Sequence, residues 1–264
     1  MLTEEQSSDY EGKGHLVIKN AIDGSELSQL RKAFEKAAGS EALDDLPNQD
    51  ICFLRFAEHG FLFPIVHSIM SDDVRLRSLV GLIHEPGDSG RGWHREVGSM
   101  LGVNHYRSNM FVQVYIFLDD VVPGGSCPVV VPSSQSSKSA AGISNSLLID
   151  EVPEHKKIYV PAGSAVILHG NILQARTENR SDLMVRCLEY TYVHSWMRQA
   201  LGALNEDTIK WLSTAEGNLA HLFGTTPYKR YWEHCVEGYP SSKGLPTRNF
   251  SPLRSVGKET ESNF

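Results

Sequence analysis

A histidine and a glutamate stand two residues apart in Gly92-Trp93-His94-Arg95-Glu96-Val97-Gly98, a stretch bounded by glycines. In an extended strand, residues i and i+2 point to the same face, so the side chains of His94 and Glu96 could converge on one point. An imidazole and a carboxylate placed that way supply two of the three groups of the facial triad that holds non-haem Fe(II) and leaves positions open for substrates and O2. The pair alone is not specific, because His-x-Glu is common on solvated surfaces. The segments that must position it decide its worth.

Phe111-Val-Gln-Val-Tyr-Ile-Phe-Leu118 is nearly all apolar, as expected for a strand buried on both faces. Asp119-Asp120 and Pro123-Gly-Gly-Ser126 end it in a turn. Pro128-Val-Val-Val-Pro132 is a second short strand, followed by a serine-rich loop over Ser133–Ser146 that reads as a lid or as an inert surface loop. Ile158 to Leu168 reads as strand, tight turn, strand, and Met184 to Val193 as a final strand rich in β-branched and aromatic residues. Upstream, Gly14 to Lys19 is a short strand. Asp23 and Glu26 form a capping box for a helix that buries Leu27, Leu30, Ala33, Phe34, Ala37 and Ala38 and stops at Gly39. A second helical pattern runs over Phe63–Leu79. Trp196–Leu204 and Thr208–Phe223 also read as helical, ahead of a Pro/Gly-rich coil from Tyr239. Many short strands between Gly/Pro turns predict a mainly β sandwich or jelly roll with flanking helices. The chain reads as one domain over 1–264: N-terminal strand and helices (15–80), a β core (81–193), and C-terminal helices and coil (194–264).

Composition narrows the function. The 264 residues carry a net charge of −7 with no Lys/Arg block and no basic-aromatic interleaving, which argues against nucleic acid as a partner. Residues 1–14 are polar and lack the apolar centre of a secretory signal, and no apolar run is long enough for a membrane span, so a cytoplasmic protein acting on a small molecule is expected. Cys52, Cys127, Cys187 and Cys235 are widely spaced without a C-x-x-C pattern and read as reduced thiols. Asn179-Arg-Ser and Asn249-Phe-Ser fit the glycosylation pattern, which carries little meaning without a signal. A homo- or heterodimer is compatible with the sequence.

Taken in order, Trp93-His94-Arg95-Glu96, Gln113-Val-Tyr-Ile-Phe-Leu-Asp-Asp120, Gly125 with Val129-Val-Val-Pro-Ser133, Ala162-Gly-Ser-Ala-Val-Ile-Leu-His-Gly170, and Asn179-Arg-Ser-Asp182 with Arg186 resemble the phytanoyl-CoA dioxygenase family over roughly 79–193. These are Fe(II)- and 2-oxoglutarate-dependent oxygenases. The resemblance implies a double-stranded β-helix, a cupin-like jelly-roll barrel whose mouth holds the metal. It implies His94 and Glu96 as metal ligands, with Glu96 where the family usually has Asp. It also implies Arg186 as the partner of the far carboxylate of 2-oxoglutarate, a task suited to a bidentate guanidinium; Arg180 and Arg176 compete for that role. Gln113 could donate to the oxoacid or be a core amide satisfied by backbone.

The sequence departs from the family at the third ligand. Gln174 stands five residues before Asn179, where the resemblance calls for histidine, and an amide oxygen is a weaker donor than imidazole. Either the loop is re-registered so that His169 swings in, or Gln174 completes a weakened site, or the metal site has been given up. His84 and His105 are the remaining histidines expected to line the pocket. Three functions follow. One is an Fe(II)/2-oxoglutarate oxygenase acting on a small organic molecule of secondary metabolism. Another is a divergent enzyme performing a non-oxidative isomerisation or cyclisation, with His94, Glu96 or His169 as acid and base. The third is a non-catalytic partner of an active paralogue.

Overall fold

The computed structural model describes residues 2–40, 43–70, 74–96, 109–136 and 147–225, all within the compact unit Met1–Thr226. The expected coil from Tyr239, His105, and most of the loops over 99–109 and 133–146 lie outside the described residues.

Among the described residues, nine strands make two antiparallel sheets. They are β1 (His15–Ile18), β2 (Val74–His84), β3 (Arg91–His94), β4 (Phe111–Phe117), β5 (Pro128–Val131), β6 (Lys156–Lys157), β7 (Ala165–His169), β8 (Leu173–Arg176) and β9 (Val185–His194). The larger sheet runs β1-β7-β4-β9-β2 and the smaller β3-β8-β5-β6. From β3 onward the strands pass between the two sheets at every step except β5 to β6, which is the winding of a jelly roll. The expected architecture is the observed one.

Strand parity explains the layering, because alternate side chains of one strand serve different cores. In β4, Val112, Val114 and Ile116 join the core against the helices, while Phe117 enters the barrel interior. In β7, Ala165 and Ile167 face the helices, and Val166 and Leu168 face the barrel. In β9, Leu188, Tyr190 and Tyr192 face the helices, whereas Val185 and Cys187 face the barrel.

The helix layer begins with α1 (Glu4–Lys13) and α2 (Gly24–Gly39). Asp23 accepts from the backbone N–H of Ser25 and Glu26, and Glu26 accepts from that of Asp23, so the expected capping box is present. Leu30, Ala33, Phe34 and Ala37 of α2 are buried against the larger sheet. Short helices α3 (Leu46–Gln49), α4 (Ile51–Phe56) and α5 (Phe63–Met70) continue this layer, and α6 (Glu206–Thr214) and α7 (Leu219–Leu222) close it. No helix among the described residues is long and apolar enough to cross a membrane. Cys52, Cys127 and Cys187 are free thiols.

Two helical expectations fail. The pattern over Phe63–Leu79 is helical only to Met70, and from Val74 the chain is β2, paired with β9 from Val74↔His194 to His84↔Val185 with a register shift between Leu76 and Ser78. Val74 and Leu76 fit period 2 as well as a helical stripe, and the long pairing with β9 decides between them. Trp196–Leu204 is not helical either. Its polar groups are spent on β2: Gln199 Nε2 donates to the Leu76 carbonyl, Arg77 donates to the Arg198 carbonyl, and Ala200 N donates to the Arg77 carbonyl.

Candidate active site

The barrel interior is apolar at one end of the strands and polar in the middle. Gln113 and Tyr115 of β4 share parity with Phe117, and Glu189 and Thr191 of β9 share parity with Cys187, so all four point inward. Across the barrel, β3 pairs with β8 so that His94 lies beside Gln174 and Arg91 beside Arg176. A cavity of about 140 Å³ opens between the sheets, with His94, Gln174, Tyr115, Glu189, Arg91 and Arg176 among its walls.

A chain of hydrogen bonds crosses it. Gln174 Nε2 donates to Gln113 Oε1 (2.7 Å), and Gln113 Nε2 donates to Glu189 Oε1 (2.8 Å) and to the Tyr115 hydroxyl (3.0 Å). Thr191 donates to the same Glu189 oxygen (3.2 Å). Gln113, open between oxoacid donor and backbone-satisfied amide on sequence, is a relay between Gln174 and Glu189. Tyr115 is held well above the usual phenol range, first by burial and then by Glu189.

His94 is set up as a ligand. Its Nδ1 lies 2.9 Å from the Gly92 carbonyl, so that nitrogen carries the proton and Nε2 keeps its lone pair. Nε2 is buried and finds no hydrogen-bond partner among the described residues. Burial lowers the pKa to about 4, which keeps the ring neutral at physiological pH. The strand ends at His94, so Glu96 does not share the simple strand parity expected of the pair. Its carboxyl is raised by burial and by Glu189, which puts it within electrostatic reach of the cavity's own acid.

Arg186 is turned away, and this corrects the expected anchor. It has the parity of Leu188 and Tyr190, not of Cys187 and Glu189. Its Nε and one terminal nitrogen hold Asp119 bidentately at 2.8 and 2.9 Å, and the other meets Glu35 of α2 at 3.1 Å. These charge-assisted bonds raise its pKa further and pin it to the helix layer.

His169 is also not in the cavity. Parity places it on the helix side of β7, where its ring lies 6.2 Å from that of Tyr10 on α1 and its Nδ1 accepts from Asn171 N at 3.0 Å. Arg180 is exposed and paired with Glu178 at 2.8 Å, so it does not enter the barrel. Of the three guanidiniums considered for an oxoacid, only Arg176 reaches the cavity. It donates to Ser126 Oγ (3.0 Å) and pairs with Asp88 (3.3 Å). His84 is also in the wall, 3.6 Å from Asp88, with a pKa lowered to about 4 by burial and then by Arg176.

The sequence reading missed Glu189, Tyr115, Ser126 and Arg91 as site residues. A charged residue in the middle of an otherwise β-branched and aromatic strand was the available signal for Glu189. Asn179 is a structural residue: fully buried, it donates to the His84 and Leu183 carbonyls at 2.9 and 2.8 Å and closes the β8–β9 connection onto β2.

No cluster of three or more His, Cys, Asp or Glu able to hold a metal occurs among the described residues. The donor set at the cavity wall is the His94 imidazole with the Gln174 amide, and Glu96 is not among the lining residues. It does not fit a triad with two histidines.

A barrel of this winding, with a buried histidine and acid near one another, defines the jelly-roll class to which the 2-oxoglutarate enzymes also belong. No family model matches the sequence, and no curated protein does. Solved structures do. The non-heme alpha-ketoglutarate-dependent carbocyclase SnoK from nogalamycin biosynthesis superposes with TM-score 0.62 at 19% identity, over 74% of this chain and 85% of SnoK. The non-heme alpha-ketoglutarate-dependent epimerase SnoN from the same biosynthesis gives 0.61 at 14%, over 73% and 82%. HygX from Streptomyces hygroscopicus, with nickel and 2-oxoglutarate bound, gives 0.62 at 20%, over 75% and 89%. At these identities the likeness establishes the fold.

Proposed function

We propose that this chain is an Fe(II)- and 2-oxoglutarate-dependent enzyme that acts on a small organic metabolite of secondary metabolism. The observation that carries the reading is the buried, unshared lone pair of His94 Nε2 in the barrel cavity. The similar folds of SnoK, SnoN and HygX, two of them named for alpha-ketoglutarate-dependent chemistry and the third solved with 2-oxoglutarate, support it.

In this reading His94, Glu96 and Gln174 hold the metal. Arg176 takes the far carboxylate of the oxoacid with help from Ser126, replacing the final-strand arginine of the resemblance. When bound, the metal and oxoacid would activate O2, the oxidant, for removal of hydrogen from an unactivated carbon. The chain's own residues orient and insulate. The Gly92 carbonyl fixes the His94 tautomer. Gln113 holds the Gln174 amide by its nitrogen and leaves the amide oxygen to face a cation. The apolar end of the barrel excludes water.

A second reading is non-oxidative acid–base chemistry, an isomerisation or cyclisation. It is favoured by the missing second imidazole and by the Gln174–Gln113–Glu189 relay, with His94 and Glu96 as the base and acid. One titration separates the two. Anaerobic Fe(II) plus 2-oxoglutarate is expected to give a visible charge-transfer band that disappears in His94→Ala. Stoichiometric failure to bind iron, together with turnover that survives chelator and the absence of O2, would establish the second reading instead.

A further inference from the structure

Outside the barrel, a larger cavity of about 640 Å³ lies against the smaller sheet. It adjoins the site above, since Arg91 and Arg176 wall both spaces, but its remaining lining residues are its own. A drug-sized ligand fits such a volume, since small-molecule sites run from roughly 300 to 1,000 Å³.

The lining has two characters. Leu147, Leu148 and Ile149 precede and enter a single 3-10 turn over Ile149–Glu151, and Tyr159 joins them. Leu148 is 69% exposed, and Leu147 and Tyr159 each 40%. Large apolar side chains left in water next to one another mark a binding surface more often than isolated ones do. The turn that carries them is ordered from within, since Glu151 accepts from Leu148 N at 2.7 Å and Lys157 reaches Asp150 at 2.8 Å.

The second character is positive charge at the barrel side. Among the cations of this cavity, Lys157 is matched by Asp150, Arg180 by Glu178 and Arg176 by Asp88. Arg91 makes no close ion pair among the described residues, although its charge is felt by the Glu96 carboxyl, and it lines this cavity together with Gly92. A guanidinium without a close ion pair next to exposed aliphatic and aromatic surface selects for a molecule with both an acidic group and an apolar body.

We propose that this cavity is a second ligand site, distinct from the barrel centre, for an amphiphilic organic carboxylate. The carboxylate lies at Arg91, and the alkyl or aryl body lies on Leu147, Leu148, Ile149 and Tyr159. The site depends on neither the metal nor the oxoacid. Because Arg176 walls both spaces, its occupant also changes the field felt by an anion in the barrel, and the effect is reciprocal between the two ligands.

The test uses decanoate and decanol as probes on the full chain, by isothermal titration, without metal or oxoacid. Decanoate is expected to bind one equivalent at least tenfold more tightly than decanol. Leu148→Asp, a change at an exposed position, and Arg91→Gln are each expected to weaken decanoate at least tenfold, while Glu189→Gln in the barrel leaves it within twofold. Equal affinity for decanol and decanoate, no binding at millimolar decanoate, no response to Leu148→Asp in a variant that keeps its melting temperature, or a loss confined to Glu189→Gln would each overturn the proposal.

Discussion

Two arginines of similar sequence promise have opposite assignments in this fold, and exchanging each for glutamine separates them. Arg186 makes three charged contacts, two to Asp119 and one to Glu35. The Arg186 and Asp119 side chains are only 16% and 20% exposed, while Glu35 is 63% exposed and contributes little after solvent screening. Arg186→Gln leaves the half-buried Asp119 carboxylate short of its partner, at a cost of about 3 kcal/mol. For a domain of this size that lowers the melting temperature by roughly 6–12 °C. Oxoacid affinity should stay within about twofold, because the side chain lies on the helix face of β9. Arg176→Gln should do the reverse. Losing a guanidinium–carboxylate contact removes about 2–3 kcal/mol of binding, roughly 30- to 150-fold in Kd, with a smaller change in melting temperature. The assay is 2-oxoglutarate titration in the presence of Fe(II) under anaerobic conditions, paired with thermal unfolding of each variant. Lost oxoacid binding in Arg186→Gln with an unchanged melting temperature would refute the parity argument.

Gln174→His places a second imidazole in register beside His94 and should raise Fe(II) affinity at least tenfold by metal analysis after dialysis; unchanged iron content would remove position 174 from the metal's reach. His84 and His169 are both held near pKa 4 by burial, below the ordinary 6.5, so the unfolded chain takes up their protons first as pH falls. Stability is therefore fully present above about pH 6.5 and lost as pH drops towards 4. His169→Gln should flatten that slope in urea unfolding measured at pH 7 and pH 4.5, and an identical slope would exclude His169 as a contributor. Asn179→Ala strips partners from the His84 and Leu183 carbonyls and should destabilise by about 2–3 kcal/mol, seen as a lower urea midpoint; a midpoint within error of the parent would show that the connection is held elsewhere.

Much of the fold could be read from sequence because strand alternation and capping are local signals. Phe111–Phe117, Val185–His194 and the Asp23 box identify themselves by residue type and spacing. Leu173–Arg176 did not, since a four-residue strand of Leu, Gln, Ala and Arg has no pattern until His94 and Val130 pair on either side of Gln174. In the site, His94 was legible from its spacing to Glu96. Arg186 was misplaced for a reason of the same kind: which face of β9 looks inward is fixed by its register with β4, and one residue of parity separates Arg186 from Cys187. The His169 alternative failed likewise, because parity sends it to Tyr10. Glu189 is a site residue only through Gln113, which joins it to Gln174 across three strands.

The imidazole on which the functional reading rests is carried by the outermost strand of the smaller sheet. β3 has four residues and, among the described residues, one hydrogen-bonded neighbour, and its ladder slips between Arg91 and His94. An edge of that length frays more readily than the central β9. Release of a ligand held by His94 is expected to follow the peeling of this edge rather than escape through the barrel mouth. Amide exchange at Gly92 and Trp93 should keep time with ligand loss.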